Sequence, residues 1–185
     1  MPARINIGVI GLGRMGQLYA RFLATQVPGA HLYAVSEVNE QARARFAAGY
    51  DGTRIFADPF ELLSQPDIQA VVVATPTSTH YDLVIAAAQA GKAIFCEKPL
   101  ALNPAQNVEM IEAAEQAGVP LQVGFMRRFD AGYQRAKKLI DEGRIGTPVT
   151  FKSLSRDPFC PPKNYLDPAK NGGLLVDMGI HDFDL

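Results

Sequence analysis

Short apolar runs alternate with amphipathic stretches along the first two thirds of the chain. Ile5 to Ile10 reads as a strand, and Arg14 to Ala24 carries helical periodicity. His31 to Ser36 is a second strand, followed by a helix from Asn39 to Ala48 closed by Gly49. Arg54 to Phe56 is a short third strand, and Asp58-Pro59 opens a short helix through Leu63, since proline suits the first helical turn. Ala70 to Ala74 is too apolar for a half-exposed strand and suits a parallel strand covered on both faces. Ser78 to Ala90 is a helix ended by Gly91, Ala93 to Cys96 a strand, Asn103 to Gly118 a capped helix and Leu121 to Phe125 another strand. This order predicts right-handed βαβ crossovers and a doubly wound parallel sheet over residues 1–125.

After Phe125 the pattern changes. Arg128 to Glu142 is an amphipathic helix stopped by Gly143, and Val149 to Arg156 has the character of a long strand in a second sheet. A proline-rich loop follows, Asp157 to Pro162, and Gly172-Gly173 opens an apolar segment running to Leu185. One strand and two helices cannot close a sheet domain, because the strand's backbone groups need partners. Residues 126–185 are therefore expected to be the first part of a second α/β domain with an open, mainly antiparallel sheet, in a chain that stops partway through it.

Composition narrows the classes. The chain has 185 residues, 48% hydrophobic and 20% charged, which is globular rather than disordered. Lys and Arg number 18 against 19 Asp and Glu, so the basic excess of a nucleic-acid binder is missing. No apolar run approaches the ~20 residues of a membrane span, and the N-terminus lacks a signal-peptide core. Cys96 and Cys160 have neither a scaffold pattern nor metal-ligand spacing and are expected to be incidental thiols. A cytoplasmic protein without a resident metal is the expectation.

Gly11-Leu12-Gly13-Arg14-Met15-Gly16 fits G-x-G-x-x-G, and it lies between a strand and a helix, the context that gives the pattern meaning. Gly11 permits a tight turn, Gly13 admits a pyrophosphate to the helix N-terminus, and Gly16 lets helix pack on strand. Glu37 ends the second strand, 21 residues after Gly16. Its carboxylate can accept from ribose hydroxyls and would repel a 2′-phosphate. Val38 and Asn39, which follow, offer no cation, so NAD is expected over NADP. At the next strand end, Thr75 and Pro76 could line the nicotinamide ribose, and His80 could either cap its helix or pack beneath the cofactor. Glu97-Lys98-Pro99 follows a further strand at the same edge, where the Lys98 ammonium could polarise a carbonyl or steady an alkoxide. A cis bond could precede Pro99. Asp177 and His181, four apart, share a face if the segment is helical. An imidazole can take a hydroxyl proton and a neighbouring carboxylate can orient it; Asp182 and Asp184 are expected to be solvated or helix-supporting.

Together, Gly11-x-Gly13-x-x-Gly16, Glu97-Lys98-Pro99 and Gly172-Gly173 with Asp177 and His181 resemble the Gfo/Idh/MocA oxidoreductase family. Gly124 to Asp130 and Ser155-Arg156-Asp157-Pro158 look most like its inositol 2-dehydrogenase branch. The resemblance implies an N-terminal Rossmann domain, a second domain whose sheet packs against partner subunits in a dimer or tetramer, and a Lys98–Asp177–His181 catalytic set. It further implies that Met126, Arg127 and Asp157 border a polyol site; Asp157 stands where some inositol dehydrogenases have Asn. The expected activity is NAD-dependent oxidation of a ring hydroxyl of myo-inositol or a close relative. The alternatives are another sugar or sugar-acid dehydrogenase of the family and a non-catalytic dinucleotide sensor.

Overall fold

The computed structural model describes residues 4–156, 167–168 and 172–185. Asp157, Cys160 and the rest of the proline-rich loop lie outside the described residues. The chain forms two units, Met1–Val123 and Gly124–Leu185.

In the first unit six strands make one sheet: β1 Ile5–Ile10, β2 Ala30–Ser36, β3 Arg54–Phe56, β4 Ala70–Val73, β5 Ala93–Cys96 and β6 Leu121–Val123. All pairings are parallel and the order is β3-β2-β1-β4-β5-β6. The helices are α1 Arg14–Thr25, α2 Glu40–Ala47, α3 Pro59–Leu63, α4 His80–Gln89 and α5 Pro104–Ala117. β4 shows why the sheet must be covered twice. Val71 and Val73 enter one core with Leu83 and Val84 of α4 and Met110 of α5. Val72 enters the other core with Ala20 of α1 and Phe46 of α2. All three valines are buried, each contributing ~1.5–3 kcal/mol relative to exposure. Local chemistry sets the helix starts. Asn39, Asp58 and Asn103 accept the amides of Ala42, Phe60 and Ala105 at 2.9, 2.8 and 2.9 Å, and such a cap stabilises by roughly 1 kcal/mol.

Parallel register brings the carboxyl ends together. Ile10 pairs with Ser36 and Val73, Val73 with Cys96, and Cys96 with Val123. The segments that follow these residues therefore leave from one sheet edge. At the opposite edge Lys92 is buried at 4% exposure, its ammonium donating to the Gln65 and Ile68 carbonyls at 2.8 and 2.9 Å. Burial pulls its pKa down.

In the second unit a single turn, Met126–Phe129, precedes α6, Ala131–Asp141. The helix expected from Arg128 starts later because the Asp130 side chain accepts the Gly132 and Tyr133 amides at 2.8 and 3.1 Å and fixes the cap there. Residues 149–156, expected as a strand, join no ladder among the described residues. A strand exists through its partner, and no described segment of this unit offers one. Val149, Phe151 and Leu154 are exposed. The antiparallel second sheet is thus not part of the described structure. Near the C-terminus, a wide π-helical turn over Leu175–Gly179 runs into α7, Ile180–Phe183, so the segment bearing Asp177 and His181 is helical but not a plain α-helix. Val176 packs onto the backbone of Gly172, where a Cβ would come within 2.6 Å of it.

Among the described residues no helix is long and apolar enough to cross a membrane, and no group of His, Cys, Asp or Glu is arranged to hold a metal ion. Cys96 is a free, buried thiol whose pKa burial pushes far up, which makes it a poor nucleophile.

Candidate functional site

The site in the first unit is built where β1, β2, β4 and β5 end. Gly11 follows β1 with φ +90°, a conformation a side chain would oppose, and a Cβ there would sit 2.7 Å from the Ala74 carbonyl oxygen. Its amide donates to the Ser36 carbonyl at 2.8 Å, tying the turn to β2. At Gly16 a Cβ would lie 1.8 Å from the Gly11 carbonyl oxygen, so α1 rests directly on the turn. Gly13 differs: a Cβ there would meet nothing within 4 Å. It precedes α1, whose first amides have no side-chain cap and whose first turn holds no acidic residue. An open cradle of helix amides beside Arg14 and Met15 is what an anion such as a pyrophosphate requires, and these residues fit a dinucleotide.

Glu37 stands beside that cradle. One carboxylate oxygen accepts the Leu12 amide at 2.7 Å and the other accepts the Asn39 amide at 2.9 Å. Each oxygen retains a further lone pair for a ribose hydroxyl. Glu37 therefore braces the glycine turn and keeps acceptor capacity to spare. No cation follows Glu37 directly along the chain, but the fold supplies one from farther on. Arg43 donates through Nη1 to the carbonyls of Glu37 and Val38 at 2.7 and 2.9 Å. The signal lay in the helix start: with Asn39 as cap, the fourth helical residue folds back over the cap and reaches the strand end.

Two further loops meet at the edge. After β4, Thr79 donates its hydroxyl to Thr75 Oγ1 at 2.7 Å and its amide to the Pro76 carbonyl at 2.9 Å. This tightens Thr77–Thr79 into a short turn, so α4 starts at His80 rather than Ser78. His80 neither caps that helix nor stands open to the cofactor position. It is 1% exposed, with Nε2 3.0 Å from the Thr75 carbonyl and Nδ1 3.0 and 3.2 Å from those of Pro99 and Leu100. The ring is a strut between the Thr75–Pro76 loop and the Lys98–Pro99 loop, whose peptide bond is cis. Glu97 is held likewise. It accepts the Tyr19 phenol with one oxygen and the Lys98 amide at 3.1 Å with the other. Burial, and then the bond to Glu97 and its charge, push the Tyr19 pKa far up. Glu97 and His80, expected as cofactor contacts, are thus engaged with protein groups that shape the loop carrying Lys98.

In the second unit, Asp177 and His181 are half-buried on the terminal helical segment. Next to His181, Asp182 is the centre of a polar cluster rather than a solvated acid. It accepts from Arg127 and Ser153 at 2.5 Å each and from Ser155 at 2.8 Å. These bonds, from Ser153 first, hold its carboxyl at about 2. Arg127, expected to border the substrate, also donates to Ser155 at 2.9 Å, so its guanidinium is already committed within the unit. Met126 is exposed. Arg128 grips both Asp184 oxygens at 2.8 and 2.9 Å. Lys98 belongs to the first unit and Asp177 and His181 to the second.

Comparison with known proteins places the chain in a family. Residues 5–125 match the model of an oxidoreductase family with an NAD-binding Rossmann fold, and residues 133–185 match the GFO/IDH/MocA C-terminal domain. The NAD(+)-dependent scyllo-inositol 2-dehydrogenase of Bacillus subtilis is 42% identical over 185 residues, which is 100% of this chain and 54% of that protein. The crystal structure of a probable dehydrogenase from Thermotoga maritima is 43% identical with a TM-score of 0.91, over 97% of this chain and 53% of that one. Scyllo-inositol dehydrogenase from Lactobacillus casei, solved with NAD(H) and scyllo-inositol bound, is 35% identical with a TM-score of 0.73, over 77% of this chain and 42% of that one. The chain spans about half the length of the curated relatives it matches.

Proposed function

Since the chain belongs to the Gfo/Idh/MocA oxidoreductase family, we propose that it serves NAD-dependent oxidation of a ring hydroxyl of a cyclic polyol, with an inositol as substrate class. The observation that carries this is the 42% identity to a scyllo-inositol 2-dehydrogenase across every residue of the chain. NAD bound along the first unit's sheet edge supplies the hydride acceptor. The α1 amides and Glu37 bind and orient it, with Thr75 and Pro76 beside the nicotinamide ribose. His181 accepts the hydroxyl proton, Asp177 orients the imidazole, and the Lys98 ammonium stabilises the developing alkoxide. Met126, Arg127 and Asp157 border the polyol. Assembly of copies into a dimer or tetramer and a cytoplasmic setting belong to the same proposal.

The test is a panel of inositols and hexoses with NAD, following absorbance of the reduced cofactor, in a protein extended to the full length of the relatives and in its His181→Ala variant, since this chain spans about half that length and is expected to be inactive alone. An inositol should be the best substrate. His181→Ala should lose ~10²–10⁴-fold in turnover. Cofactor binding without turnover of any polyol would remove the substrate class, and absence of cofactor binding would remove the whole reading.

A further inference from the structure

We propose that Arg43 is a latent 2′-phosphate site, so that discrimination against NADP rests chiefly on the charge of Glu37. The inference builds on the NAD-binding character of the first unit and concerns which groups set its cofactor choice. Glu37 and Arg43 flank one piece of backbone. The Glu37 side chain turns toward the glycine turn and meets the Leu12 amide, while its own carbonyl is held by Arg43 at 2.7 Å. A ribose bound by the Glu37 carboxylate has its 2′ position at that strand end, within the swing of an arginine anchored there.

Arg43 is free to change partners. Both of its bonds are to neutral carbonyls and both use Nη1. A guanidinium has five N–H donors, and Nε and Nη2 make no hydrogen bond among the described residues. A phosphate dianion would offer it charge-assisted, forked bonds in place of neutral ones, and arginine geometry suits that exchange. Opposing this in the wild type is the Glu37 carboxylate, which a 2′-phosphate would have to approach. Glu40, at the first helical position of α2, adds a second negative charge nearby, but it is exposed and screened by solvent. Val38, 79% exposed between them, puts no bulk in the way of either cofactor beyond its own side chain.

Removing the charge of Glu37 while keeping its shape tests the proposal. In Glu37→Gln the amide oxygen can still accept the Leu12 amide, so the glycine turn keeps that brace, while the bond from the Asn39 amide is lost because the Gln nitrogen cannot accept; the readout is therefore the ratio of the two cofactor affinities. Affinities for NADH and NADPH are read by fluorescence titration of the 185-residue chain in the wild type, in Glu37→Gln, and in Glu37→Gln combined with Arg43→Gln. Glu37→Gln should raise the affinity for NADPH relative to NADH about tenfold or more, the scale of one added charge-assisted hydrogen bond. Adding Arg43→Gln should abolish that gain and leave NADH binding in place. The gain should also shrink as salt is raised. If the double variant binds NADPH as tightly as Glu37→Gln, or if Glu37→Gln gains nothing, Arg43 does no more than hold two carbonyls and the proposal falls. Loss of NADH binding in the wild type itself would instead refute the cofactor reading on which it rests.

Discussion

Tyr19 on α1 donates its phenol to the Glu97 carboxylate, whose other oxygen takes the Lys98 amide. The helix that begins at the phosphate cradle and the loop that carries the lysine are thereby one braced piece. Tyr19 also packs edge-on against Phe95 of β5, with ring centroids 5.3 Å apart, so Tyr19→Phe removes the hydroxyl and keeps the packing. The variant should lose about 1–3 kcal/mol of stability at neutral pH, the scale for a hydrogen bond to a charged group. Because the folded pKa of Tyr19 is raised above 10.0, this contribution is full below that pH and is lost as pH rises beyond it. The gap between wild-type and Tyr19→Phe urea midpoints should therefore be constant below about pH 9 and narrow progressively as pH rises above 10 toward the raised folded value. A gap that stays constant would mean the phenol is not held as the neutral donor.

The glycine turn makes a sharper test, because two neighbouring glycines serve different ends. Gly16→Ala would drive a Cβ to 1.8 Å from the Gly11 carbonyl oxygen; it should lower the melting temperature and weaken NADH binding together. Gly13→Ala meets nothing in the protein. It should leave the melting temperature unchanged and still cut NADH affinity, because the methyl group enters the space a pyrophosphate needs. Unaltered NADH affinity in Gly13→Ala would mean that the pyrophosphate lies elsewhere.

Asp182 gathers Arg127, Ser153 and Ser155 around the C-terminal helix. Asp182→Ala should free α7 from residues 153–155, seen as faster hydrogen exchange at the 180–183 amides, with NADH affinity unchanged. In the wild type the pKa of Asp182 falls from 3.8 to about 2. Its contribution is thus present above the ordinary carboxylate range and is lost as pH falls toward 2. The protection of those amides, taken relative to the intrinsic exchange rate at each pH, should be steady at mildly acidic pH and fall only on strong acidification.

The glycine turn, Glu37, Thr75 and Lys98 all lie in Met1–Val123, along with both cores. A chain ending at Val123 should fold by itself and bind NADH within about threefold of the 185-residue chain, a difference under 1 kcal/mol. An unfolded circular dichroism spectrum, or a much larger loss of affinity, would show that the second unit is needed to complete the cofactor site.

The sheet and its glycine turn were legible because their signals are local. The run Ala70 to Val73 is apolar on both faces, and Gly11, Gly13 and Gly16 sit within one turn and its helix. What the sequence did not disclose joins residues far apart along the chain. Tyr19 and Glu97 are 78 residues apart, and Arg127 and Asp182 are 55 apart. Nothing in the local pattern around either member distinguishes an engaged carboxylate from a solvated one. His80 could be recognised as notable but not as a strut, since its partners are backbone carbonyls, which every residue has. The 149–156 segment shows the converse error: β propensity describes a willingness to extend, while a strand also needs a partner.

Lys92 gives the molecule a chemical memory of its own opening. An acylating reagent needs an accessible, uncharged amine, and this one is sealed at 4% exposure with its ammonium on two carbonyls. Under native conditions its modification must wait for the sheet's amino edge to come apart. Peptide mass spectrometry of a timed acylation would then count unfolding events at one residue, far from the edge where cofactor binds, and would show whether NAD slows them.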